Sequence, residues 1–101
     1  MPYLVVLEIH LHFPDGHSLK EKRKELQSLK AQLQRRFGAT VAETDHHELW
    51  QRSTLTAALV GRDAGPLESA AQQLQRYVES QFPDGVRFAS SLVSANEVLG
   101  E

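Results

Sequence analysis

Between Tyr3 and Phe13 hydrophobic and polar positions alternate. The odd positions are Tyr3, Val5, Leu7, Ile9, Leu11 and Phe13, and the even positions run Leu4, Val6, Glu8, His10 and His12. A period of two predicts a β-strand with one wholly apolar face. Its other face is apolar at the start and polar at the end. Pro14-Asp15-Gly16 has the composition of a turn. Ser18 then opens a helix, with Glu21 as its capping-box partner. Leu19, Leu26, Leu29, Leu33 and Phe37 fall on one helical stripe, and Gly38 is a natural stop.

A shorter, more polar strand is expected over Ala39 to Asp45, at an edge of the sheet. Val41 and Glu43 share one of its sides, so the pattern leaves its facing open. Asp45-His46-His47-Glu48 repeats the capping pattern and predicts one helical turn ending near Trp50. A third strand follows from Ser53 to Val60, then a loop from Gly61 to Gly65. Pro66 suits the first turn of a second helix, which is expected to bury Leu67, Ala70, Ala71, Leu74 and Val78. Pro83-Asp84-Gly85 ends that helix, and a fourth strand runs from Val86 to about Ser94.

The order β-α-β-β-α-β is that of a ferredoxin-like α+β sandwich. Right-handed crossovers then place both helices on one face of an antiparallel sheet of order 4-1-3-2. All of residues 1–101 are expected in this one domain, with the other face of the sheet left open.

Composition narrows the function classes. Apolar residues make up 41% and charged residues 24%, a globular balance. With no cysteine there is no disulfide, no thiolate nucleophile and no cysteine-ligated zinc. The N-terminus lacks a basic leader, and Glu8 interrupts its apolar run. No signal peptide, membrane span or membrane partner is expected, and the cytoplasm is the expected location.

Net charge is only −2, but it is unevenly spread. Between Leu19 and Arg36 stand Lys20, Lys22, Arg23, Lys24, Lys30, Arg35 and Arg36, opposed only by Glu21 and Glu25. The first helix therefore carries +5 and the rest of the chain −7. At about 100° per residue, Arg23, Gln27, Lys30 and Gln34 form one flank. Lys20, Lys24 and Arg35 point away from the sheet, and the two acids lie opposite. Lys22 is the odd member, falling within the apolar stripe. Its stem is expected to pack while its ammonium reaches out to Glu43 or Asp45.

His17-Ser18-Leu19-Lys20-Glu21-Lys22-Arg23 and Ala42-Glu43-Thr44-Asp45-His46-His47-Glu48-Leu49-Trp50-Gln51-Arg52 resemble the two signatures of the YlxP-like family. Val60-Gly61-Arg62-Asp63 fits its following Gly, any residue, Asp. The resemblance covers nearly the whole chain. It implies a bacterial domain of unknown function with a ferredoxin-like fold. Genes of the family often lie beside those for a translation initiation factor and a ribosome-maturation factor, which points to RNA. The family brings no catalytic residues to transfer.

Four constellations remain. The basic helix can follow a phosphate backbone, with Lys20, Arg23, Lys24, Lys30 and Arg35 as contacts, or it is a solvated face. The histidines gather at one end of the sheet. His10, His12, Asp45 and His46 are the candidate metal ligands there, although no tight ligand motif is present. The bland alternative is a set of surface histidines. Leu49-Trp50 either closes the open end of the core or offers Trp50 to a base or partner. The open sheet face carries Leu4, Val6, Ala58 and Val60, which suit a homodimer interface. It has no aromatics on the first and third strands, so base stacking of the RNA-recognition-motif kind is not expected.

No nucleophile–base pair, glycine-rich phosphate loop or informative carboxylate pair is present, so no cofactor is implied. A catalytic role would need an unusual site at His12, Asp45 and His46. The leading expectation is a non-enzymatic binding domain that touches RNA or a ribosomal subunit through its first helix.

Overall fold

A computed structural model of the chain describes residues 2–13, 18–45, 49, 51–83 and 85–100. Its elements are β1 (Tyr3–His12), α1 (Leu19–Phe37), β2 (Thr40–Asp45), β3 (Arg52–Gly61), α2 (Ala64–Gln81), β4 (Val86–Ser94) and α3 (Ala95–Leu99). The four strands form one antiparallel sheet in the order β2-β3-β1-β4, so the expected order is borne out and β2 is an edge strand.

β1 sits between β3 and β4, and its alternation dictates the facing of both. Val5, Leu7, Ile9 and Leu11 are buried. Their cross-strand partners Leu59, Ala57 and Leu55 on β3 are buried with them. Leu92 and Phe88 on β4 are half-buried against the same cluster. From α1 this cluster takes Leu26, Leu29 and Leu33, and from α2 Leu67, Ala71, Leu74 and Val78. Both helices therefore lie on the odd-numbered side of β1. Ala70 is only half-buried, at the margin of the α2 stripe.

The ends of α1 follow from local chemistry. The Glu21 N–H donates to Ser18 Oγ at 3.2 Å, satisfying one of the free amides of the first turn. Gly38 takes the left-handed conformation, φ 67°, and its N–H donates to the Gln34 carbonyl at 3.0 Å. Across the helix pair, Arg36 lies 4.5 Å from the Tyr77 ring centroid and also donates to Gln32.

Two sequence expectations need correction. The loop read over Gly61–Gly65 is shorter, because α2 begins at Ala64 after the extended N-cap Asp63. Gly65 and Pro66 lie in its first turn, where amides need no internal acceptor. The C-terminal helix α3 was not expected. Its signal is nonetheless present. Ser94 Oγ accepts from the Glu97 N–H at 3.2 Å, a capping pair. Gly100 ends the helix at φ 78°. Of the helical turn expected from Asp45 to near Trp50, Asp45 is the last residue of β2, and residues 46–48 and Trp50 lie outside the described set, as does the turn at Pro14-Asp15-Gly16.

Leu33 has no exposed surface, whereas Val60 is 76% exposed. Leu33→Ala should therefore cost about 2–5 kcal/mol in urea unfolding, and Val60→Ala should stay within about 0.5 kcal/mol.

Candidate functional site

The two signature stretches meet through one buried cation. Lys22 lies in the first turns of α1 with its side chain fully buried. Its Nζ donates to the Leu49 carbonyl and stands 3.6 Å from Glu43 Oε2. The Ser53 hydroxyl donates to that same carboxylate oxygen at 2.6 Å. The expected Glu43 partner is found, but the ammonium does not reach out to solvent. It is held inside, at the junction of α1, β2, β3 and the segment before β3. A buried charge is tolerated only when paired and hydrogen-bonded, and here it is both.

This network also resolves the facing of β2. Val41 and Glu43 both point to the helix side, one into the core and one to Lys22. A register shift between Glu43 and Asp45 makes Thr44 the extra residue of a β-bulge. Thr44 Oγ1 lies 2.8 Å from Thr56 Oγ1. After the bulge Asp45 pairs with Thr54, in the same cross-strand row as His10.

The remaining cations of α1 turn outward. Lys20, Arg23, Lys24 and Arg35 are exposed and Lys30 is half-buried. Among the described residues, the side chains of these five make no hydrogen bond or ion pair. Arg36 differs, being engaged by Gln32 and Tyr77.

The open face is graded along its length. At one end Leu4 pairs with Val60 and Val93, and Val6 pairs with Ala58. The four expected interface residues are thus direct neighbours, with Val93 a fifth that the sequence reading missed. At the other end His10 pairs with Thr54 and Arg87, and His12 with Arg52. His10 Nδ1 lies 3.3 Å from Thr54 Oγ1, and Nε2 stands 3.7 Å from Glu8 Oε1.

Among the described residues, no group of three or more histidines or carboxylates has a geometry that would hold a metal. Thr54 separates His10 from Asp45, and His46 lies outside the described residues. Trp50 does too, and Leu49 is 49% exposed rather than closing the core. No described helix is long and apolar enough to cross a membrane.

Comparison with known proteins places the chain. The family model "Protein of unknown function (DUF503)" matches residues 4–90. The chain belongs to the DUF503 family. It is 30% identical over 70 residues to the "Uncharacterized protein YlxP" of Bacillus subtilis (strain 168), covering 69% of this chain and 75% of that protein. The YlxP-like resemblance is therefore borne out.

Among solved structures, the de novo designed protein Foldit4 superposes with a TM-score of 0.64 at 8% identity, covering 93% of this chain and 98% of that one. A mutant form of SnoaB, a cofactor-independent oxygenase from Streptomyces nogalater, gives 0.50 at 12% identity, covering 98% of each chain. At such identities these likenesses speak for the fold alone.

Replacing Lys22 with Met takes the ammonium from the Glu43 carboxylate and the donor from the Leu49 carbonyl. Chemical denaturation should show a loss of about 1–3 kcal/mol. A double-mutant cycle with Glu43→Gln should give a coupling of about 0.5–3 kcal/mol. Additive single effects would mean that the two side chains do not act as a pair.

Proposed function

We propose that this DUF503 domain is a non-enzymatic binding module that engages RNA, free or within a ribosomal subunit, through the outward cations of α1. The observation carrying this reading is that Lys20, Arg23, Lys24, Lys30 and Arg35 are left without internal partners among the described residues. A face that served only solvation would gain from interleaved acids at i, i+4 spacing. Here Glu21 and Glu25 sit on the other flank, and the cations repel one another until an external anion neutralises them. A phosphate backbone does so while releasing its counterions.

The open face offers no aromatics on β1 or β3, so contact is with phosphates more than bases, and binding is tolerant of sequence. Trp50 belongs to this reading as a stacking anchor. The α+β architecture is read as a ferredoxin-like sandwich, and the cysteine-free composition suits work in the cytoplasm.

Fluorescence anisotropy with a short single-stranded RNA, titrated at several salt concentrations, tests this. Affinity should fall with salt. The double change Arg23→Glu, Lys30→Glu should weaken binding more than tenfold and flatten the log–log salt slope by about 1.4, the equivalent of two contacts. Wild-type affinity in the double variant would remove α1 from the interface.

A second reading rests on the row register of Leu4, Val6, Ala58 and Val60, with Val60 76% exposed. These residues would pair two copies face to face as a homodimer. Light scattering should then find a dimer that Val6→Lys converts to monomer. A monomeric wild type at high concentration would end this reading.

A further inference from the structure

The polar end of the open sheet face holds a concavity that neither reading above uses. Its volume is about 360 Å³, and it is lined by His10, Leu11, His12, Arg52, Gly85, Val86 and Arg87. Three other concavities formed by described residues are lined largely by carboxamides, hydroxyls and apolar groups, each with one glutamate: Glu25, Glu68 or Glu8. This one is lined by two arginines and two histidines.

Register explains how they meet. Arg52 on β3 is the direct neighbour of His12, and Arg87 on β4 is the direct neighbour of His10. The two arginines thus flank β1 from opposite sides on the same face, about 10 Å apart across the strands and offset by two residues, about 7 Å, along β1. Their side chains are long enough to converge on one anion above β1. Both are exposed, and among the described residues neither makes a side-chain hydrogen bond or ion pair. His10 is different. One of its nitrogens faces Thr54 Oγ1 and the other Glu8, so it forms a fixed floor. His12 is exposed, and among the described residues its ring has no such partner.

Gly85, at the edge of the concavity, is held tightly to β1. The His12 N–H donates to the Gly85 carbonyl at 2.8 Å, and a Cβ at Gly85 would stand 2.6 Å from the His12 oxygen. Glycine at 85 is what lets the start of β4, and with it Arg87, come this close to His12.

We propose that Arg52, Arg87 and His12 form a binding site for a phosphate monoester on the sheet face opposite α1. Two guanidiniums match the charge of a phosphate dianion. Its three terminal oxygens offer acceptors for two arginines and an imidazole at once. Glu8 and Asp45 border the site, Glu8 beside His10 and Asp45 beyond Thr54. Neither lines the concavity.

The test is an NMR titration of the whole chain with inorganic phosphate, with adenosine monophosphate and with a 5′-phosphorylated ribo-oligonucleotide. Saturable shifts are expected at His12, Arg52, Gly85 and Arg87. Arg52→Gln and Arg87→Gln should each weaken phosphate binding at least tenfold, without a change in Tm because both side chains are exposed. Arg23→Glu, Lys30→Glu should leave phosphate binding unchanged, which separates this site from the α1 reading. Tighter binding of the mononucleotide marks a small-molecule site, and tighter binding of the oligonucleotide marks an RNA 5′ end. Shifts confined to α1, no saturation with any probe, or arginine variants that bind like wild type would overturn the proposal.

Discussion

A single buried ammonium organises one end of this molecule. Lys22 occupies a position that the helical stripe reserves for an apolar residue, and its side chain has no exposed surface. Burying such a charge without partners is prohibitive. Glu43 must therefore face the helices, Ser53 must present its hydroxyl, and the backbone at Leu49 must turn its carbonyl inward. One interaction thus fixes how α1 sits on β2 and where the chain runs before it enters β3. It also gives one lysine and one glutamate of the two signature stretches a structural role that the exposed charges around them lack. The pair is a constraint on geometry more than a large net source of stability, since desolvation offsets much of its attraction.

The exposed charge has a different origin. With Lys22 turned inward and Arg36 stacked on Tyr77, five cations of α1 remain outside with no internal partner among the described residues. The sheet's other face is divided by the pattern of β1, aliphatic near Leu4 and cationic near His12. Three surfaces of distinct chemistry therefore result from one helix stripe and one strand alternation. Each is suited to a different contact, and phosphate is the ligand chemistry we propose for two of them.

Much of the fold was legible in the sequence because its signals are local. The period of β1, the Ser18 cap and the Gly38 stop lie within a few residues of the structure they specify. The sheet order followed from the handedness of the crossovers. What escaped was what depends on pairing. The bulge at Thr44 carries no sequence mark, yet it moves Asp45 onto the row of His10. Arg87 stands between Val86 and Phe88, so its outward facing was readable, but its register against His10 was not. Arg52 was in plain view within a signature stretch and was passed over, because only the ladder makes it a neighbour of His12. The depth of Lys22 was misjudged for a related reason. Its stripe position was clear, but the carbonyl that lets its ammonium stay inside comes from Leu49, far along the chain.

The central functional claim is that an outward cationic helix brings this domain to RNA. Its most direct test is sedimentation of the protein in a lysate of its own host through gradients at low and high salt. Movement with a ribosomal subunit or another RNA particle is expected at low salt, with release to the top of the gradient at high salt. Protein that stays at the top at both salts would contradict it.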